Sequence, residues 1–406
     1  MVGLFIRRGI KVAWIAGVLA AVSVHAQGHA QMEPGELSAE ISLSSGVISA
    51  GEAVDLTVTL TNDTSRPVKL LDWHTPFEGF KHDMLDVRWR NQKVRYEGRL
   101  VKRAPAGLDD VISLEPGESI TTTVDLAQAY DLSVSGDYYI RLDTDLPPLS
   151  ADQMRLLDLV PTGVPRRLLS NGVGFRIVGG RIERRILEPV LPQPSLGTPP
   201  DPTFTDCSPE EIACINAGLA AARAEATQCK AYLNDLPVED RPTDPNYMTW
   251  YGAYTMACYA TVLQNWCSIA DALNMQQLEF ICGGDLCEDG DFAYVFPNDP
   301  YKIYLCNGFF NADVDEGKDT KMGTLIHEIS HFTAVAGTDD HAYGTQACMD
   351  LAMNNPAQAK DNADTYEYFA ECKVTAAVPA LPLPMLALFG AAIALAGYRV
   401  LSRRAA

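Results

Sequence analysis

His327-Glu328-Ile329-Ser330-His331 is the stretch from which the organisation of this 406-residue chain can be worked out. Four residues span about one turn of an α-helix, so His327 and His331 project from the same helical face. Two imidazoles in that arrangement can bind one metal ion, and Glu328 lies beside them, where its carboxylate can act on a water molecule. The stretch therefore predicts a helix that carries a metal centre.

This helix has a predicted core face and a predicted end. We expect it to run from about Thr320 to Ala336 and to stop at Gly337, because glycine commonly ends helices. An apolar stripe along it comprises Met322, Leu325, Ile326 and Ile329. Such a stripe at helical spacing indicates packing against a core.

A catalytic zinc site requires a third protein ligand and one open position, so the sequence after the helix must supply a further group. The pattern HExxHxxGxxH is disfavoured here, because Ala334 stands at its glycine position and Gly337 at its final histidine position. His341 remains geometrically compatible as a ligand, although its offset differs from that pattern.

Carboxylates are the other candidates for the third ligand, since zinc accepts carboxylate oxygen. Asp340 is the nearest, nine positions after His331 and just past a glycine turn. A glutamate from a later helix, Glu367 or Glu371, is the alternative. The residues alone leave these choices open.

Residues 38–180 show the pattern of β-strands. Apolar and polar residues alternate along 53–61, 85–89 and 138–142, with turn residues between the strands. Several short strands, regular turns and no cysteine predict an all-β, immunoglobulin-like sandwich. We find no catalytic group of residues in this region.

A linker and a second domain follow. Residues 187–206 contain six prolines, which favour an extended and semi-rigid chain. Residues 207–375 are mainly helical in pattern and would form the domain that holds the metal centre. The predicted elements are helices at 208–233, 249–272, 345–354 and after Ala363, and strands at 292–296 and 302–306.

Both ends of the chain indicate export. Residues 1–26 have a basic start, a short apolar run and small residues before Ala26, which together predict a signal peptide. Residues 378–404 form a second apolar run followed by arginines, similar to bacterial sorting tails, and predict a membrane anchor or a segment that a sorting enzyme removes. We expect a bacterial protein that is secreted or held at the cell envelope.

The net charge restricts the class of binding partner, and the cysteine content indicates the cellular compartment. The formal net charge of −20 argues against a nucleic-acid partner, because a phosphate backbone requires a basic surface. All ten cysteines lie between Cys207 and Cys372. An even number of cysteines in an exported domain predicts disulfide bonds.

Together with the histidine pair, a second motif carries a resemblance to a known family. The pattern GTxDxxYG occupies residues 337–344, and the pair of motifs resembles the aspzincins, which comprise the deuterolysins and the peptidyl-Lys metalloendopeptidases. The likeness extends from about Cys207 to Glu371. It implies a zincin-type protease domain, mainly helical with a small β-sheet, so that the whole chain belongs to the α+β class.

The resemblance implies a role for each residue of the two motifs. Asp340 would be the third ligand of one zinc ion, beside His327 and His331. Glu328 would be the general base, and Tyr343 would stabilise the oxyanion of the tetrahedral intermediate. The implied activity is hydrolysis of peptide bonds in proteins or peptides.

The resemblance also implies specificity and disulfide pairing. Asp364 and Glu367 fall on the family's acidic substrate pocket, and their spacing of three places them on one helical face. We therefore expect cleavage on the amino side of lysine. The family cysteines match Cys207 with Cys282 and Cys287 with Cys306.

The leading hypothesis is an exported zinc endopeptidase made as a precursor. Residues 38–180 would then be a propeptide that assists folding of the protease domain or inhibits its activity. One alternative is a deuterolysin-like protease without strict lysine preference. The other is a surface-binding protein in which the β-region binds a ligand and the protease domain is inactive.

Overall fold

The computed structural model describes residues 37–104, 106–146, 167–182 and 199–372. The predicted signal peptide, most of the predicted linker and the predicted apolar segment 378–404 lie outside these ranges. Among the residues described, no helix has the length and apolar character needed to cross a membrane.

The amino-terminal region consists of strands, as its alternating sequence predicts. In β3, for example, Leu56, Val58 and Leu60 are buried while the residues between them are partly exposed. The strands are β1 (Leu37–Leu43), β2 (Val47–Ser49), β3 (Asp55–Asn62), β4 (Val68–Leu71), β5 (Leu85–Trp89), β6 (Gln92–Lys93), β7 (Leu100–Arg103), β8 (Val111–Leu114), β9 (Ser119–Asp125), β10 (Gly136–Asp145) and β11 (Arg167–Val178).

Most of these strands belong to one sheet with the order β6-β5-β10-β11-β1-β3-β9, in which β2 also pairs with β11. Its two halves meet at a single parallel register, Ala39 opposite Ser170. β4 and β8 form a separate antiparallel pair. The structure confirms a β-rich region before a mixed domain, whereas an immunoglobulin-like arrangement of these strands stays a prediction.

The carboxyl-terminal region combines helices with a small sheet. Its helices are α1 (Pro209–Asp235), α2 (Pro245–Tyr251), α3 (Met256–Met275), α4 (Asn307–Asn311), α5 (Lys321–His331), α6 (Thr345–Asn354), α7 (Pro356–Ala359) and α8 (Ala363–Glu371). Its strands are β12 (Thr203–Thr205), β13 (Glu279–Cys282), β14 (Asp291–Val295) and β15 (Lys302–Leu305). Short 3₁₀ turns occur at Pro76–Glu78, Leu126–Gln128 and Arg241–Thr243.

The small sheet draws strands from unexpected parts of the sequence. Its order is β12-β13-β15-β14-β7, so one edge strand comes from the end of the predicted linker and the other from the β-region. β7 pairs antiparallel with β14, with Val101 opposite Tyr294 and Lys102 opposite Ala293. The two regions of the chain therefore share a sheet.

Two predicted helices differ from the structure. The prediction of one helix over 249–272 was wrong, because Gly252 has a φ of 78° and a side chain there would overlap the Ala352 carbonyl oxygen. A new helix then begins after Thr255, whose hydroxyl caps it. The metal-site helix α5 ends at His331 rather than Ala336, since the backbone of the buried Phe332 leaves the helical conformation, with a ψ of 129°.

Helix α5 lies at the centre of the carboxyl-terminal region. All of its residues are buried, including the predicted apolar stripe, and it contacts both α1 and α8. Thr320 caps its amino terminus through the backbone N–H of Gly323. A helix held on every side in this way fixes the positions of its polar side chains as firmly as those of its apolar ones.

Two disulfide bonds stabilise this region. Both bonds that the family resemblance implies are present, Cys207–Cys282 and Cys287–Cys306. Each can contribute roughly 2–4 kcal/mol by restricting the unfolded chain. All ten cysteines lie within the described part of the chain, and the other six, Cys214, Cys229, Cys258, Cys267, Cys348 and Cys372, are unbridged.

Candidate active site

Three buried side chains converge at the carboxyl-terminal end of α5. The Nε2 atoms of His327 and His331 are 3.0 Å apart. The Asp340 carboxylate lies 3.4 Å from each of them, through Oδ1 to His327 and Oδ2 to His331. Tetrahedral zinc with bonds of about 2.0–2.1 Å separates its ligands by about 3.3 Å. The spacing of the three groups therefore suits zinc.

The surroundings orient these groups toward a shared ion. The Nδ1 of His331 donates to the backbone carbonyl of Thr338 at 2.9 Å, and the Nδ1 of His327 lies 2.9 Å from Asp364. Both Nε2 atoms are thereby left for the ion. Both carboxylate oxygens of Asp340 are buried and make no hydrogen bond of ordinary geometry among the residues described, and the two Nε2 atoms lie 3.4 Å from them. A buried carboxylate that faces two imidazole nitrogens is well placed to bind a cation with them, so the residues present fit zinc.

The other candidate ligands lie elsewhere. His341 points away and pairs with Asp361 at 3.1 Å. Glu371 accepts hydrogen bonds from Thr320 at the start of α5. Glu367 approaches His327 at 3.4 Å on its Nδ1 side, opposite the cluster. Of the alternatives that the residues left open, only Asp340 meets both imidazoles at Nε2.

Glu328 is placed for proton transfer. Its side chain is fully buried. Burial raises the pKa of Glu328 to about 7, while the imidazoles of His327 and His331 oppose that shift. A carboxylate whose pKa lies near neutrality can both accept and return a proton at that pH.

Tyr343 supplies a hydroxyl donor near the cluster. Its Oη donates to the backbone carbonyl of Val101 at 3.0 Å. The ring packs edge-on against Trp73, with centroids 5.2 Å apart, and beneath the Arg103 guanidinium at 5.1 Å. The hydroxyl is therefore held in a fixed position and is directed at a peptide carbonyl.

A pocket beside the cluster holds a lysine. The Nζ of Lys102 lies 3.1 Å from both Asp364 and Glu367, and 2.7 Å from Asp319. The Lys102 side chain is 1% exposed. Although burial opposes the charged form, these carboxylates hold the pKa of Lys102 well above its ordinary value. The pocket thus holds a primary ammonium group between three carboxylates.

The chain is similar to known metalloendopeptidases. Residues 238–371 match a family model described as lysine-specific metallo-endopeptidase. The chain is 34% identical to an extracellular protease from Aeromonas hydrophila, over 82% of this chain and 92% of the relative. It is 30% identical to a peptidyl-Lys metalloendopeptidase from Armillaria mellea, over 87% and 94% respectively.

The chain is an aspzincin metalloendopeptidase. It is therefore a zinc-dependent hydrolase of peptide bonds. A zinc peptidase from Grifola frondosa is a further similar protein, with 37% identity and a TM-score of 0.38, over 41% of this chain and 98% of that structure.

The structure of this aspzincin brings together the seven residues for which the family resemblance implies a catalytic, metal-binding or substrate-binding role. The seven side chains are His327, Glu328, His331, Asp340, Tyr343, Asp364 and Glu367. Asp364 and Glu367 do lie on one face of α8, and both reach the same ammonium group. Their catalytic and specificity roles are taken up below as proposals.

Two residues of the site were not predicted from the sequence. Lys102 lies in a short strand of the β-region, and a lysine beside the apolar pair Leu100 and Val101 gave one weak signal of burial. Asp319 lies in a loop before α5, and nothing in the sequence distinguished it from the acids of other loops. Both were missed because their contacts join distant parts of the chain.

Proposed function

We propose that this aspzincin is an exported endopeptidase that cleaves peptide bonds on the amino side of lysine. One observation carries the proposal: the side chain of Lys102 fills an acidic pocket directly beside the three-residue zinc cluster. A substrate lysine in the same pocket would bring the peptide bond before it to the catalytic groups.

His327, His331 and Asp340 would hold one zinc ion. Zinc, when bound, polarises the peptide carbonyl and lowers the pKa of a water molecule. The second contacts of the imidazoles, to Asp364 and to Thr338, keep the Nε2 atoms directed at the ion.

Glu328 and Tyr343 would carry the remaining chemistry. Glu328 removes a proton from the attacking water and returns it to the nitrogen of the departing amine, which a pKa near 7 allows. Tyr343 donates a hydrogen bond to the carbonyl oxygen as negative charge develops there. Glu328 is fully buried and Tyr343 is half-buried, which limits the access of solvent to both groups.

The pocket favours a lysine side chain for reasons of charge and fit. Asp364 is fixed by the backbone N–H of Gly344 at 2.8 Å and by His327. Asp319 is fixed by the hydroxyl of Tyr368 at 2.8 Å. Three carboxylates around one ammonium stabilise it strongly in a buried site, and the same charges repel acidic side chains.

Export is part of the proposal. It is supported by the signal-like sequence of residues 1–26 and by the name of the Aeromonas hydrophila relative, an extracellular protease. Retention through residues 378–404 and the propeptide role of residues 38–180 stay predictions.

A digestion experiment tests the function. The purified chain, incubated with zinc, is mixed with an unfolded protein of known sequence, and the fragments are mapped by mass spectrometry. We expect fragments that begin with lysine, and their loss when a chelator is added. Cuts without lysine enrichment would favour a deuterolysin-like protease, and the Glu328→Gln variant controls for contaminating proteases.

A further inference from the structure

The strand β7 forms one edge of the small sheet β12-β13-β15-β14-β7, where it lies in the manner of a bound peptide. It pairs antiparallel with β14, in registers that run from Leu100 opposite Val295 to Arg103 opposite Asp291. Extended peptides commonly bind proteins by adding a strand to an open sheet edge in this way. Here the added strand belongs to the same chain.

The peptide bond between Val101 and Lys102 lies at the catalytic groups. The hydroxyl of Tyr343 donates to the carbonyl oxygen of Val101. Helix α5, which carries Glu328, contacts β7. The hydroxyl of Tyr343 thus contacts the carbonyl of this bond, and the proposed general base lies on the helix that packs against the strand.

The side chain of Lys102 sets the register of the strand. Its ammonium fills the pocket between Asp364 and Glu367, which is the position proposed above for the lysine after the cleaved bond. A shift by one residue would direct Lys102 to the opposite face of the strand and leave these buried acids without their cation. The bond that precedes this lysine is therefore fixed at the catalytic centre.

Contacts on both sides of Lys102 hold the strand in place. Arg103 pairs with the buried Glu78 of the β-region at 2.6 Å. Arg99 pairs with Glu288 of the catalytic region at 2.8 Å, and Lys81 reaches the same carboxylate at 2.9 Å. The strand is thus bound to both regions of the chain, and it covers the edge that any other substrate would need.

We propose that Val101–Lys102 is a self-cleavage site, occupied by the chain's own substrate-like strand until it is cut. The inference rests on the proposed function and deepens it. Water adds across the amide: the carbonyl of Val101 becomes a carboxylate, and the nitrogen of Lys102 leaves as an α-ammonium group. Glu328 carries one proton of the water to that nitrogen, and the second water proton, released as the new carboxylic acid ionises, completes the ammonium group.

The test starts from the full exported chain, prepared with a chelator and then given zinc. Intact-mass spectrometry follows fragments that end at Val101 and begin at Lys102. We expect both to accumulate at a first-order rate that does not change with protein concentration, because the strand lies in its own active site. The Glu328→Gln chain should stay intact.

Two further variants connect cleavage to the pocket. Lys102→Gln removes the ammonium and should slow cleavage at this bond by about 10- to 100-fold. Lys93→Gln makes the same substitution at an exposed lysine that pairs with Asp83, and its rate should match that of the unchanged chain. Each variant is also assayed on a lysine-containing test peptide.

Hydrogen exchange measured without zinc tests the binding of β7 independently of catalytic turnover. In the metal-free Glu328→Gln chain, hydrogen exchange should show protected amides in β7 and β14, and Lys102→Gln added to it should reduce that protection. Exchange at β7 as fast as in an unfolded peptide would overturn the proposal.

The outcomes separate this inference from the function on which it rests. If any form that keeps Glu328 hydrolyses the test peptide while Val101–Lys102 of the unchanged chain stays intact, self-cleavage is refuted and the protease function stands. If no form, including Lys102→Gln, hydrolyses the peptide with zinc present, the proposed function itself fails.

Discussion

Asp319 gives the sharpest test of the lysine pocket, because it contacts the ammonium without contacting the zinc cluster. Replacing Asp319 by Asn removes its charge but keeps an acceptor for the Tyr368 hydroxyl, and asparagine tolerates the positive φ of 55° found there. A hydrogen bond to a charged group contributes about 1.5–3 kcal/mol. We take the lower end, about 1.5 kcal/mol, because the Asp319 side chain is 20% exposed.

That free energy corresponds to a fall of about tenfold in the preference for lysine. The assay compares kcat/KM for two peptides that differ only at the residue after the cleaved bond, lysine in one and norleucine in the other. Both peptides are cleaved by the same preparation, so the ratio of their kcat/KM values does not depend on the fraction of active sites that β7 covers. Asp299→Asn, at an exposed pair with Lys302, should leave the ratio unchanged. An unchanged ratio in Asp319→Asn would refute the pocket assignment.

Three further predictions concern the centre and its surroundings. Tyr343→Phe should lower kcat by about 10²- to 10³-fold with little change in KM, and an unchanged kcat would exclude its role as oxyanion donor. Asp340→Asn should weaken zinc binding at least 100-fold by competition with a chromogenic chelator, since it removes the ligand charge; equal affinity would show that another group completes the site. Burial lowers the pKa of His74 from 6.5 to about 4, so the unfolded chain binds a proton first as pH falls, and stability is lost from about pH 6.5 downward. Between pH 7 and pH 5 this loss amounts to about 2 kcal/mol. His74→Asn, which suits the φ of 62°, should reduce the loss measured by urea unfolding, and an equal loss in both proteins would contradict this origin.

The zinc cluster could be predicted because its geometry is mostly local. His327 and His331 lie one helical turn apart, so their shared face follows from helix geometry alone. Asp340 returns to them within a short turn, where the backbone N–H of Thr338 bonds to the carbonyl of Ser330. The family motif supplied the choice among the candidate ligands, which residue chemistry had left open.

The association of the two regions could not be predicted in the same way. Residues 100–103 read Leu-Val-Lys-Arg, which lacks the alternation of the other strands, and nothing in this stretch identifies the strand with which it pairs. The contact of Lys102 with Asp364 spans 262 residues. Only the tertiary structure brings a lysine of the β-region to the acids of α8.

The predicted helix boundaries were wrong for local reasons that a periodic sequence pattern does not show. α5 was expected to continue to Ala336 because Gly337 is a residue that commonly ends a helix. The backbone N–H of Thr333 instead bonds to the carbonyl of Pro297, a partner outside the helix. This early end lets the chain turn back and bring Asp340 to the imidazoles.

The most direct test of the account is a crystal structure of the zinc-loaded Glu328→Gln chain with diffraction recorded at the zinc absorption edge. We predict an anomalous peak bound by the Nε2 atoms of His327 and His331 and by the carboxylate of Asp340, with Lys102 in the adjacent pocket. A peak bound by some other side chain, with Asp340 turned away, would contradict the account.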